Sequence, residues 1–402
     1  MKNRIALGFQ NTVDFELEWD SAVLEALIWS YKISDVEIGV DIPIHTERDI
    51  ILVLLGHMKA GTGTERIVSS SNITREFAEH FSKKITLGGT AIRAAIAMSH
   101  IGCPSTVHAC SNNHYFRSLM PANVSYLTSV PDEADEYCPH VIVQFPVNAR
   151  ISAGDIDIVT PRPNRVIFAY DPPSVCLIID ENFKYMAECA DVFLAASYNA
   201  IKDESLLQER LTTSLRIIEH LPSNCLFVME DACFQSSSIR AIVTKTLTPR
   251  LDIFSMNEDE LQDRLGHRID ILDPQSVSEA LSTVAQQINV PLLICHSAYW
   301  ALAYGKQPSR ARQALEGGIA MASTRFRLGD KFGKDDYLQT MQLPANQFGI
   351  IFSTKITKLL GTDLICCLAG KNLDFVKKPT TIGLGDAFIG GILPNLLPER
   401  LI

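Results

Sequence analysis

Ile253-Phe254-Ser255-Met256 runs without a break into Asn257-Glu258-Asp259-Glu260-Leu261. A short apolar run followed at once by an Asn and three acids reads as a buried strand whose carboxyl end opens directly into a helix. Asn257 can cap the first turn, and Glu260, three residues on, can return a bond as a capping box. The same grammar continues to either side. Leu226–Met229 ends on Glu230, and Leu292–Cys295 ends on His296. Further strands are expected at Ile5–Phe9, Thr106–Ala109, Val141–Phe145, Val166–Tyr170, Val192–Ala196 and Leu364–Cys367. Helical periodicity lies between them, at Ser21–Tyr31, Ala91–His100, Ser205–His220, Gln275–Ile288 and Arg310–Thr324. Continuous apolar strands alternating with helices predict an α/β class: a doubly wound, mostly parallel sheet with helices on both faces.

Residues 35–45, 59–71 and 145–163 break that rhythm with short alternating patterns and turn residues, as a small sheet or lid would. No low-complexity linker separates them from the rest, so the second unit is expected to be inserted.

The 402 residues are 47% hydrophobic and 20% charged, with a formal net charge of -10. Such a field repels phosphate backbones, so nucleic acid is not an expected partner, whereas a local glycine turn or arginine can still bind a phosphorylated small molecule. The first apolar stretch stops at Gln10, too short for a signal core or a membrane span. The ten cysteines are scattered with no Cys-x-x-Cys pair, which predicts reduced thiols in a cytoplasmic protein. No Gly-x-Gly-x-x-Gly follows the first strand, which argues against a dinucleotide oxidoreductase.

In sheets of this kind ligands bind at the carboxyl ends of strands. Thr380-Thr381-Ile382-Gly383-Leu384-Gly385-Asp386-Ala387-Phe388-Ile389-Gly390-Gly391 carries the sharpest signal. Two glycines ahead of an apolar helix can turn bare backbone N–H groups toward an anion, and the helix dipole adds positive character there. Asp386, directly after them, is placed to accept a proton from a hydroxyl attacking a phosphorus. A helix start with Asp386 merely complementing the dipole is the plain alternative.

The flanks favour chemistry. Gly383-Leu384-Gly385-Asp386, followed by a small residue, Phe and a later Gly, resembles the C-terminal signature of the ribokinase-like sugar kinases. The resemblance implies that Asp386 is the catalytic base and that the Gly383–Gly385 backbone forms an anion hole. Asn257 and Glu260 resemble that family's metal-associated motif, which implies Asn257 beside the nucleotide and Glu260 holding waters on Mg²⁺.

Other stretches resemble the narrower branch of ADP-dependent glucokinases and phosphofructokinases. Glu230 stands where a second outer metal ligand is implied, although Val228 replaces the histidine often found two residues earlier. Gly8–Asp14 resembles the branch's opening, which makes Asp14 a sugar ligand after an Asn/Thr-rich turn. Leu87-Gly88-Gly89-Thr90-Ala91 resembles its sugar-binding turn, where missing side chains at Gly88 and Gly89 admit the ring. Gly61–Arg66 resembles a lid segment in which Glu65 touches an unphosphorylated hexose. Arg162 and Arg165 could instead clamp a phosphate, which leaves glucose and fructose 6-phosphate both open. His296 is implied as a weak nucleotide contact.

The expected enzyme is therefore an ADP-dependent sugar kinase using Mg²⁺, with a small discontinuous lid at about residues 12–72 and 143–165 inserted into a nucleotide-binding domain of residues 73–142 and 166–402. Its rivals are an ATP-using sugar or nucleoside kinase of the same fold and a catalytically silent nucleotide- or sugar-binding protein. The oligomeric state is not legible.

Overall fold

The computed structural model describes residues 3–130, 136–234 and 236–397, and its strands divide between two principal sheets and a hairpin. In chain order they are β1 Ile5–Gly8, β2 Thr12–Leu17, β3 Thr64–Ile67, β4 Lys83–Gly88, β5 Ser105–Ala109, β6 Val124–Thr128, β7 Pro139–Phe145 and β8 Arg150–Ala153. The remainder are β9 Ile156–Val159, β10 Asn164–Ala169, β11 Val192–Ala195, β12 Leu226–Glu230, β13 Ile253–Asn257, β14 Leu292–His296, β15 Trp300–Gly305 and β16 Ile365–Ala369.

The nine-stranded sheet runs β16-β15-β14-β13-β12-β11-β1-β5-β6. From β14 to β6 every pairing is parallel, and β15 runs antiparallel to both of its neighbours. Strands β1, β11 and β14 are buried along their whole length, as expected where helices cover both faces. The expected mostly parallel α/β architecture is thus present. Its helices Ser21–Tyr31, Thr90–His100, Glu204–His220, Pro274–Ile288 and Arg312–Leu328 fall within a few residues of the periodic stretches. The register sets Glu230 beside Ser255 and Asn257 beside His296, so these polar residues share the carboxyl edge of three adjacent parallel strands.

A second sheet, β3-β10-β7-β2-β4, is mixed and five-stranded. Val13, Phe15, Leu17, Val141, Val143, Phe145, Val166 and Phe168 are buried on one face. The helices Glu47–Ala60 and Ser71–Glu79 pack against strands of this sheet. By the period of two, the opposite face carries Asp14, Glu16, Glu65, His140, Gln144 and Arg165.

Two expectations are corrected here. Val141–Phe145 and Val166–Tyr170 were expected in the parallel sheet, but β7 and β10 pair with each other antiparallel in the smaller one. Short apolar runs do not state which sheet will bury them. The smaller sheet also takes β4 and parts of β7 and β10, which lie outside residues 12–72 and 143–165. Thr12 and Asp14 lie in β2.

β8 and β9 form a separate hairpin inside residues 145–163. Thr381 Oγ1 donates to Gln144 Oε1 at 3.3 Å, and Lys84 pairs with Asp330, so the five-stranded sheet is tied through β7 and β4 to the loops around the glycine turn. All ten cysteines are free thiols; Cys103, Cys110, Cys225 and Cys295 are buried and Cys176, Cys189 and Cys233 are exposed. Among the described residues no helix is long and apolar enough to cross a membrane.

Candidate active site

Gly383 begins the helix Leu384–Ile392 in the left-handed region, with φ +66°. A Cβ there would lie 2.9 Å from both Cδ and Nη1 of Arg93 and 3.3 Å from Nε of Arg325, so only glycine fits on both counts. Arg325 Nε donates to the Ile382 carbonyl at 2.7 Å and its guanidinium pairs with Asp330, which holds the loop in place. The N–H groups of Leu384, Gly385 and Asp386 occupy the first turn, where no carbonyl lies four residues back inside the helix. Asp386, in that turn, is about a quarter exposed.

Below this helix lies the carboxyl edge of the large sheet. The His296 ring stacks on Phe388 with centroids 4.0 Å apart, and Gly385 leaves room beside it. Burial pushes His296 down to about 4, so the ring is neutral near neutral pH. Its Nε2 lies 3.6 Å from Glu230 Oε1, too long for a hydrogen bond, and with a neutral ring this contact is not an ion pair.

Burial raises Glu230 well above the usual carboxylate range, with the charges of Asp386 and Asp231 adding to the effect. Glu260 is raised in the same way, by burial and then by the charges of Glu230 and Asp231. The capping box is present as expected: Asn257 Oδ1 accepts from the N–H groups of Asp259 and Glu260, and Glu260 Oε2 accepts from the Asn257 N–H at 2.8 Å. Asp231 is neutralised by Arg264, whereas Glu230 Oε2 is buried with no hydrogen-bond partner. Two buried carboxylates, lifted by burial and by neighbouring acids, form a place where a cation is electrostatically welcome. Among the described residues no three His, Cys, Asp or Glu side chains form a direct metal-ligand set, so a cation held here would be completed by water or ligand oxygens.

Facing this edge is the polar side of the five-stranded sheet. Asp14 is buried, its Oδ1 accepting from Thr12 Oγ1 at 2.7 Å and its Oδ2 from Arg93 Nη2 at 2.7 Å. Gly88 lies against this carboxylate so closely that a Cβ would sit 2.4 Å from Oδ2. Gly89 has φ +89° and backs onto the Gln10 carbonyl, so both glycines of the expected sugar turn are required by space or conformation. The Arg93 Nε lies 3.8 Å from Asp386 Oδ2, which brings the expected sugar ligand and the expected base to one guanidinium.

Arg165 also belongs here. It is half-buried, burial lowers its pKa from the usual arginine value, and the carboxylate of Asp386 is the main charge opposing that fall. Arg162 does not join it. Its side chain is exposed and its Nε donates to the Gly61 carbonyl at 2.6 Å, so the pair forms no clamp: one arginine braces a turn and the other faces the cleft. Glu65 is exposed on the outermost strand; its charge acts on His140.

Three groups were not singled out in the sequence. Arg93 is the lone strong cation in an otherwise alanine-rich helix, one turn after Gly88-Gly89, and that isolation was the available signal. Arg325 carried none. His140 Nε2 bonds Asp171 Oδ2 at 3.0 Å where β7 begins and β10 ends. Burial opposes its charge, but Asp171, Asp14 and Glu65 outweigh burial and lift it to about 9.

A family model described as the ADP-specific phosphofructokinase/glucokinase conserved region matches residues 3–358. That span contains Asp14, Gly88, Arg165, Glu230 and Glu260 and ends ahead of the Gly383–Asp386 turn. Among solved structures, a hypothetical ADP-dependent phosphofructokinase from Pyrococcus horikoshii OT3 is 17% identical over 98% of both chains, with a TM-score of 0.77. A phosphofructokinase from the same organism, solved with AMP, matches with the same figures. An ADP-dependent kinase in complex with fructose-6-phosphate and ADPβS is 16% identical, covering 100% of this chain and 95% of that one, with a TM-score of 0.76. At such identities these likenesses are of fold.

Proposed function

The chain belongs to the ADP-specific phosphofructokinase/glucokinase family and is an ADP-dependent sugar kinase, and we propose that Asp386 is the base that accepts the acceptor hydroxyl's proton. The acceptor is a hexose or hexose phosphate, seated by Asp14 and by the Gly88-Gly89 backbone. Its hydroxyl gives its proton to Asp386 as its oxygen bonds to the β-phosphorus of ADP. The bond from that phosphorus to the bridging oxygen breaks, and AMP departs with the bridging oxygen. Backbone N–H groups at the start of the helix after Gly383, together with the helix dipole, offset charge on the transferring phosphoryl oxygens. Arg165 supplies a planar fork of donors to the same oxygens. His296, neutral and stacked on Phe388, lines the nucleotide side beside Asn257.

Glu230 and Glu260 fit a hydrated Mg²⁺, since both are buried carboxylates and one Glu230 oxygen has no partner. An ion held there by Glu230 and Glu260 would supply positive charge to the phosphate groups of the nucleotide. The five-stranded sheet serves as a lid whose polar face excludes water once sugar and nucleotide are in place. Ten free thiols favour a reducing compartment such as the cytoplasm.

The observation that most supports this reading is the Asp14–Arg93–Asp386 line, two carboxylates gathered about one buried guanidinium at the start of a glycine-opened helix. The test is AMP release from ADP across a panel that includes glucose and fructose 6-phosphate, with ADP release from ATP run beside it. AMP formation dependent on one sugar is expected. No turnover with any sugar and either donor, or turnover with ATP alone, would overturn it.

A further inference from the structure

Arg93 has its charge committed to carboxylates from two different parts of the fold. Its side chain is 6% exposed. One guanidinium nitrogen, Nη2, donates to Asp14 at 2.7 Å and lies 3.4 Å from both Glu16 Oε1 and Thr86 Oγ1, all on the five-stranded sheet. Nε, which shares a guanidinium edge with Nη2, lies 3.8 Å from Asp386 Oδ2, on the helix that follows Gly383. The helix bearing Arg93 packs directly on that second helix, and Gly383 closes against the arginine's Cδ and Nη1. Asp14, Glu16 and Asp386 therefore converge on one cation in a largely water-free space, where three like charges without it would repel one another outward.

An acceptor sugar has to meet both ends of this line at once, giving hydroxyl hydrogens to Asp14 and its reacting hydroxyl to Asp386. We infer that Arg93 is a positioning residue that fixes the separation between the sugar seat and the base, so that a seated sugar is already aligned for transfer. This rests on the assignment of Asp14 and Asp386 above. Arg93 needs no contact with the substrate to act in this way. A rigid planar group with two nitrogens at a fixed spacing can hold two carboxylates in a set relation, and an ammonium, a point charge on a flexible stem, cannot. A purely structural arginine would disturb sugar and nucleotide alike; a positioning arginine disturbs the sugar terms selectively.

The test is steady-state AMP formation by wild type, Arg93→Lys and Arg93→Ala, with sugar and ADP varied separately. Loss of alignment by about 1 Å costs on the order of 100-fold. Arg93→Lys is expected to fold, to lose about 10-fold to 100-fold in kcat over KM for the sugar through both constants, and to keep its KM for ADP within about threefold. In Arg93→Ala the loss is larger, and methylguanidinium restores rate saturably whereas methylammonium does not. Wild-type kcat and sugar KM in Arg93→Lys overturn the inference, as does an equal rise in the KM for ADP. If the alanine variant does not fold, the lysine variant decides alone. Absence of AMP from the wild type refutes the functional reading itself, and is thereby separated from failure of the role given to Arg93.

Discussion

Replacing Gly88 by alanine puts a methyl group where the structure has no room for one. The new Cβ would lie 2.1 Å from Thr12 Oγ1 and 2.4 and 2.6 Å from the two Asp14 carboxylate oxygens, against an ordinary contact of 3.4 Å or more. Gly88 and Thr12 are paired in the ladder between β4 and β2, so neither backbone can move away freely. The Asp14 side chain must retreat by about 1 Å or rotate, and its 2.7 Å bonds from Thr12 and Arg93 lengthen together. Forcing a methyl into packed space costs about 1–3 kcal/mol of stability. A misplacement of about 1 Å in a substrate-positioning group costs on the order of 100-fold in turnover efficiency. Gly88→Ala is therefore expected to fold with a reduced urea midpoint and to lose roughly 100-fold in kcat over KM for the sugar, with the KM for ADP changed less than about threefold. The assay is initial-rate AMP formation at saturating ADP and then at saturating sugar. A variant whose sugar KM and kcat match the wild type would refute the reasoning that Asp14 seats the sugar.

Gly383→Ala forces a side chain into the left-handed region, at about 1–2 kcal/mol, and drives it against Arg93; kcat is expected to fall by about 100-fold with ADP still bound, as titration calorimetry would report. Unchanged kcat would show that the anion hole lies elsewhere. The pH dependence of stability has a defined sign at His140, which titrates at about 9 in the fold against an ordinary 6.5. Its contribution is fully present below pH 6.5 and is lost as pH rises through 9, with an upper bound of about 3 kcal/mol. The gap in urea stability between wild type and His140→Gln should therefore narrow between pH 6 and pH 9.5, and a constant gap contradicts the ion pair. Glu230→Gln is expected to raise the Mg²⁺ concentration needed for half-maximal rate at least about tenfold without altering the sugar KM; no change would remove Glu230 from the metal site.

Local sequence was enough wherever a function needs a local shape. The strand-to-helix passage at Asn257 and the glycine-opened helix start at Asp386 were legible because backbone N–H groups, caps and glycines act within four residues of one another. The parallel sheet was legible because strands buried on both faces leave continuous apolar runs. Membership of β7 and β10 in the smaller sheet was not, since a five- or six-residue run reads the same whichever partner covers it. Arg93 was hidden for a related reason: its partners Asp14 and Asp386 stand far away in the chain, and nothing in an alanine-rich helix says which way an arginine points. Arg162 and Arg165 seemed equivalent as neighbours. Three residues of chain around a turn sent one to the Gly61 carbonyl and the other into the cleft.

The most direct measurement compares Asp386→Ala with the wild type in two readings from the same preparation, AMP formation and the dissociation constant for ADP. A carboxylate acting as base predicts a fall in kcat of about 100-fold to 10,000-fold, with ADP affinity held within about threefold. Full turnover in the absence of that side chain would contradict the account at its root.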